Sequence, residues 1–160
     1  MIRLSLIGVR VEVPSNQPIV LLREESGPRF LPIFIGSPEA TAIVYALQGI
    51  ETPRPMTHDL FKTVLDDLEA SLRRVEITEL HDGTFYAEIE IEHGEVTKRI
   101  SSRPSDAIAL AVRYGDNIPI FVDEAVLEEA GVLFEADEEE QEVEQFREFL
   151  DRVTPEDFAQ

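Results

Sequence analysis

Apolar and polar residues alternate along the first thirteen positions, with Ile2, Leu4 and Leu6 on one parity and Val9, Val11 and Val13 on the other. The switch falls at Gly8, so the pattern predicts a strand with a bulge or bend at that glycine. Pro14 to Pro18 reads as a turn. Ile19–Leu22 and Phe30–Ile35 then flank Ser26-Gly27-Pro28 as a hairpin, and Pro32 implies an edge or irregular pairing because it has no amide to donate. A helix follows directly, with Ser37 as its N-cap, Pro38 at the first helical position and Gly49 where a left-handed terminal residue belongs.

After the stiff Thr52-Pro53-Arg54-Pro55 linker, Thr57 is expected to cap a second helix. Its apolar residues Leu60, Phe61, Val64, Leu65 and Leu68 follow the 3.6-residue period. Val75–Leu80 and Phe85–Glu92 read as strands joined through His81-Asp82-Gly83, with Val96–Ile100 pairing back across Gly94. A third helix runs from Pro104 to about Arg113. A short strand at Ile120–Val122 and a helix at Glu124–Ala130 complete the body.

The second hairpin-helix unit matches the first in its spacing. Gly27 precedes Pro38 by eleven residues and Gly94 precedes Pro104 by ten, while Gly49 and Gly115 each stand eleven residues after their proline. Both helices are rich in alanine. The expected fold is therefore α+β, a mixed or antiparallel sheet with two hairpin-helix pseudo-repeats packed by alanine-rich helices; two unrelated units of similar length are the alternative.

Composition narrows the possible chemistry. With 160 residues, 43% hydrophobic and 29% charged, the chain has the makings of one core. We place the domain at 1–133 and an acidic linker with an amphipathic helical tail at 134–160. In that tail Val143, Phe146, Phe149, Leu150 and Val153 recur at helical spacing, either lying on their own domain or reaching a partner. No cysteine is present, which excludes disulfides, thiolate zinc sites and thiol nucleophiles. No segment approaches the roughly 20 apolar residues of a membrane span, so we expect a cytoplasmic protein without a membrane partner. The net charge is −19; eleven acidic residues against two arginines after residue 134 account for −9, leaving −10 on the rest. That balance argues against broad, non-specific binding of nucleic acid, although it permits a local basic patch.

Two clusters stand out as candidate chemistry. In Ser101-Ser102-Arg103-Pro104-Ser105-Asp106, proline at the helix start makes Arg103 the N-cap, although arginine has no acceptor to offer the free amides. Such a broken local rule marks a candidate site, with Arg103 holding a phosphate or carboxylate and Ser105 and Asp106 in the same turn. The plainer reading is an Arg103 ion pair with an acidic residue. In Arg54-Pro55-Met56-Thr57-His58-Asp59, His58 falls in a first helical turn, where the dipole favours a neutral imidazole able to act as a base. Asp59 is a candidate metal ligand and Arg54 a candidate substrate contact, but sequence neighbours on a helix do not face one way. Glu39 occupies in the first repeat helix the place of Ser105 in the other. Glu88, Glu90 and Glu92 project from one strand face and read as a solvated surface.

Several ordered blocks together resemble the bifunctional nuclease family. They are Leu31-Pro32-Ile33-Phe34-Ile35-Gly36 with Glu39-Ala40, Pro53-Arg54-Pro55-Met56-Thr57-His58-Asp59-Leu60, Gly83-Thr84-Phe85-Tyr86-Ala87, and Arg103-Pro104-Ser105-Asp106-Ala107-Ile108-Ala109-Leu110-Ala111. The resemblance runs from about residue 2 to residue 132 and implies an α+β fold, a homo-oligomer and cleavage of DNA and RNA. In such a nuclease Arg103 would stabilise the phosphate and His58 or Asp106 would activate water. Glu39, Asp59 or Asp106 would hold a divalent cation, Mg2+ or Mn2+. Many family members carry an aspartate where this chain has Ser101, so one potential ligand is missing. The competing class is a non-catalytic ligand-binding or regulatory oligomerisation module.

Overall fold

A computed structural model describes residues 1–134. The elements follow in the order β1 (Ile2–Glu12), β2 (Gln17–Glu24), β3 (Arg29–Phe34), α1 (Ser37–Gln48), α2 (Thr57–Asp67), β4 (Ala70–His81), β5 (Thr84–His93) and β6 (Val96–Ser102). Next come α3 (Pro104–Ala111), a 3-10 turn over Val112–Asn117, β7 (Ile120–Val122), α4 (Glu124–Ala130) and the two-residue β8 (Val132–Leu133). The acidic helical tail expected over 134–160 lies, except for Phe134, outside the described residues.

Eight strands form one mixed sheet in the order β6-β5-β4-β7-β1-β2-β3-β8. All neighbours are antiparallel except β4 and β7, which run parallel. Two three-stranded meanders, each followed by a helix, therefore occupy the two halves of the sheet, joined by the three residues of β7. The parity switch in β1 is a register shift between Leu6 and Gly8 opposite β2. Pro32 pairs with Leu21 on one side, and β8 meets β3 only at Arg29 and Phe30, so its missing amide breaks no ladder.

One face of the sheet carries Val20, Leu22, Leu31, Ile33, Val75, Ile77 and Ile89 into a core shared with Ala40, Ile43, Ala107, Ile108 and Leu110. Alanine allows α1 and α3 to pack against each other over that face, and α2 packs on α3 and β4. Phe134, just past β8, sets its ring edge-on to Phe30 at 4.9 Å, in a separate small cluster with Leu21. No described helix is long and apolar enough to cross a membrane.

Three local features depart from what the sequence pattern alone would suggest. Gly36, not Ser37, is the N-cap of α1, and Met56, not Thr57, is that of α2. Asp59, at the third helical position, folds back to accept the Met56 amide at 2.9 Å, which explains the one-residue shift. The third helix ends at Ala111 and tightens into the 3-10 turn, with Gly115 left-handed at φ 69°. Second, α2 does not bury its apolar stripe. Leu65 faces inward, but Leu60 (55% exposed), Phe61 (39%), Val64 (43%) and Leu68 (62%) stay open, because the opposite, polar flank makes the tertiary contacts. Asp59 binds Arg113, Asp66 reaches the Tyr114 hydroxyl, and Lys62 lies 4.8 Å from the Tyr114 ring. Third, the glutamates of β5 are not a freely solvated row. The cross-strand register sets Glu88 beside Glu76 and Glu90 between Arg74 and Arg99. Glu76, 3% exposed, is clamped by Arg74 at 2.7 Å and Arg99 at 2.9 Å, while Arg73 grips Glu92 with two bonds.

Candidate functional site

The helix starts α1, α2 and α3 meet at one end of the molecule. Arg103 is the N-cap of α3 and supplies no cap of its own, as its chemistry requires. Its guanidinium instead spans two carboxylates, with Nε donating to Asp106 Oδ2 at 2.7 Å and Nη2 to Glu39 Oε1 at 3.0 Å. Glu39 and Asp106 are each the third residue of their helix. The Glu39 carboxylate folds back over Gly36, where a β-carbon would lie 2.2 Å from Oε2, so a side chain there would push the carboxylate aside. His58 closes the chain of contacts, its Nε2 standing 3.0 Å from Asp106 Oδ1. All four residues were candidates in the sequence, and the fold joins Glu39, His58, Arg103 and Asp106 into one cluster of polar contacts.

Burial raises the Asp106 carboxyl, but the hydrogen bonds from Arg103 and His58 outweigh it and hold the group below its ordinary range. Arg103 in turn is held protonated above its usual value, chiefly by Asp106. An ionised carboxylate has no hydrogen to give, so His58 Nε2 is the donor in that bond and Nδ1 is the nitrogen left to accept a proton. With neutral His58, one arginine against two carboxylates leaves the cluster with a net charge of −1.

Asp59 takes no part in this cluster. Its Oδ1 receives Arg113 Nε at 2.7 Å, and burial, which raises its carboxyl, is outweighed by the Met56 amide and Arg113, so it too lies below its usual range. Adjacent helical positions diverge by about 100°, and here His58 turns to α3 and Asp59 to the 3-10 turn. Arg113 itself is a residue the sequence reading missed. Its side chain is 6% exposed and donates through Nη1 to the carbonyls of Ala42 and Ala109, so it ties α1, α2 and α3 together. The only signal in the sequence was a charged residue ending an alanine-rich apolar helix.

Ser105 is buried at 5% exposure and lines a cleft beside the cluster; Arg54 is exposed and its side chain joins none of these ion pairs. Glu39, Asp59 and Asp106, the candidate ligands of a divalent cation, do not all gather in one place. Glu39 and Asp106 face Arg103, Asp59 faces Arg113, and among the described residues no three His, Asp or Glu groups stand at metal-ligand spacing. As arranged, these residues do not fit a cation held by all three.

Two proteins of Mycobacterium tuberculosis, one from strain CDC 1551 / Oshkosh and one from strain ATCC 25618 / H37Rv, both described as uncharacterized, are each 50% identical to this chain over 161 residues. The match covers 96% of this chain and 95% of each relative, so it runs well into the acidic C-terminal stretch, beyond the end of the resemblance read from the motifs. The family described as the bifunctional nuclease domain matches residues 20–135, which run from within β2 through β8 and include every member of the cluster, and the chain belongs to that family.

Proposed function

We propose that the chain hydrolyses phosphodiester bonds of DNA and RNA, with His58 as the general base. The observation that carries this reading is the His58–Asp106–Arg103 arrangement. A carboxylate fixes the imidazole through Nε2, leaving Nδ1 to take a proton from water, and a guanidinium stands on the other oxygen of the same carboxylate. In the reaction the water oxygen bonds to phosphorus, its proton passes to His58 Nδ1, and the ester P–O bond breaks with a proton returned to the leaving oxygen. Arg103, with 64% of its side chain exposed, supplies positive charge to the phosphoryl oxygens. Asp106 is a positioning residue, and Glu39 holds the guanidinium in place. No step is routed through a divalent cation, and Mg2+ or Mn2+ is a variable of the assay.

Two further expectations belong to this proposal. The matched meander-helix halves, whose two helix starts meet at Arg103, support a pseudo-repeat, although with the prolines aligned Glu39 stands opposite Ser105 and not Asp106. The open apolar flank of α2 supports a homo-oligomer, because on a chain of net charge −19 this uncharged stripe is where two copies meet with the least local like-charge repulsion.

The non-catalytic reading draws on one observation: Arg103 is already shared by two carboxylates, which weakens its pull on a phosphate. An assay separates the two. The full chain would be incubated with single-stranded DNA and RNA in magnesium, manganese or chelator, beside His58→Ala. Cleavage that falls by a factor of roughly 100 or more in the variant supports the proposal. Cleavage unchanged by His58→Ala removes the assigned base, and no cleavage under any condition leaves the regulatory module.

A further inference from the structure

Beside Arg103 lies a cleft of about 260 Å³ whose walls come from distant parts of the sheet. The end of β3 supplies Phe34 and the residue after next, Gly36; the β4–β5 turn supplies Gly83 and Phe85; the first turn of α3 supplies Ser105. In sheet order β3 and β4 are separated by β7, β1 and β2, so these ends meet only because the sheet is strongly curled.

The make-up of this slot is unusual for surface left to solvent. Phe34 is 50% exposed. Gly83, which also lines the cleft, adopts φ 77°, and a β-carbon there would meet nothing within 4 Å, so it presents bare backbone beside open space. Phe85 is half-buried and packs against the core, which makes it a fixed surface rather than a mobile side chain. At the rim, Arg103 has 64% of its side chain exposed. A flat apolar group therefore has an aromatic surface to stack on, and an anion attached to it reaches a guanidinium at the mouth.

We infer that this cleft takes one unstacked nucleobase of a single-stranded nucleic acid against Phe34 while the adjoining phosphate meets Arg103. The inference rests on the reading of the His58–Arg103 cluster as a phosphodiester site and adds its substrate form. A base inside a duplex is stacked on both faces and cannot enter such a slot, whereas a base in a single strand enters freely. The acidic body makes this the required mode of binding: with a net charge of −10 on residues 1–134, affinity has to come from the base more than from the backbone. The salt dependence is then shallow, with a slope of log affinity against log salt near −0.7 for one phosphate contact on a single strand.

The test measures fluorescence anisotropy of labelled single-stranded DNA, an abasic strand of the same length and the matching duplex, titrated with the full chain at two salt concentrations. Wild type should bind the base-containing strand at least about tenfold more tightly than the abasic strand or the duplex. Phe34→Ala should bring the single strand down to the abasic level, and Phe34→Trp should keep the preference. The comparison of strands uses wild type alone, so it decides the matter even if Phe34→Ala misfolds. Equal affinity for base-containing and abasic strands, an unaffected Phe34→Ala, or no binding at all overturns the inference. Base-independent binding with cleavage intact would defeat the slot and spare the nuclease; base-dependent binding without cleavage would do the reverse.

Discussion

Replacing Arg113 by alanine should destabilise the protein far more than replacing Arg103, although only Arg103 stands at the proposed chemistry. Arg113 is 6% exposed and its guanidinium serves Asp59 at 2.7 Å and two main-chain carbonyls, those of Ala42 and Ala109. Truncation leaves both carbonyls in the helix layer without their donor, removes the partner of Asp59 and opens a cavity where the stem lay. Removing one member of a buried, hydrogen-bonded charge pair costs about 3–5 kcal/mol, and the partial exposure of Asp59, 41%, places this case near the lower end. At about 2–4 °C per kcal/mol for a chain of this size, the melting temperature should fall by roughly 10 °C. Arg103 has 64% of its side chain in solvent, so its ion pairs are screened and Arg103→Ala should cost no more than about 1 kcal/mol. Urea titrations of both variants, with Asp59→Ala and the Arg113/Asp59 double variant completing a cycle, measure the difference directly. An Arg113→Ala protein within about 1 kcal/mol of wild type, or an Arg103→Ala protein equally damaged, would show that the helix layer is not pinned through Arg113.

Other consequences can be checked in the same way. The Asp106 and Asp59 carboxyls are lower in the folded chain than in the unfolded one, so the stability they contribute is fully present above about pH 4 and is lost as pH falls through the depressed folded values. The melting-temperature gap between wild type and Asp106→Asn should therefore narrow on acidification from neutral pH, and a gap that widens contradicts the assignment. A β-carbon at Gly131 would sit 2.3 Å from the Leu127 main-chain oxygen, so Gly131→Ala should cost about 1–3 kcal/mol by denaturant titration. The same change at Gly36 meets only the movable end of Glu39, and should cost less than about 1 kcal/mol while loosening the hold on Arg103. Ending the chain at Leu133 removes Phe134 from Phe30, a loss of about 0.5–1.5 kcal/mol beyond the area exposed; an unchanged urea midpoint would show that the pair contributes nothing.

Local features were legible wherever the chain's own chemistry set them. The parity switch at Gly8 announced a bulge, Gly49 announced a left-handed helix end at φ 65°, and an arginine in a cap position announced that Arg103 had business elsewhere. Which residues meet across the fold was less accessible. The stripe on α2 was visible as a period, but periodicity says that an apolar face exists and not what covers it. Here the polar flank, through Asp59, Lys62 and Asp66, took the contacts. In the same way Glu88 and Glu90 looked solvated because strand register, which brings Arg74 and Arg99 beside them, is not written in either strand alone. Glu39 was noticed as a carboxylate in a matching helix, yet its pairing with Arg103 depends on α1 packing against α3, and Arg113 became visible only once three helices were in place.

The short strand β7 sets the order in which this molecule can be assembled. Ile120–Val122 lies between β1, from the start of the chain, and β4, from its middle, and bonds to both. Until residue 122 is available, each meander has a raw edge where the other should be, and the two halves are separate hairpin stacks. On a ribosome the sheet cannot close before nearly the whole domain has emerged from the exit tunnel, and in refolding the closure waits for contacts far apart in the chain, which makes it slow for a domain of this size. A chaperone that shields those two edges would be acting at the one step the topology defers to the end.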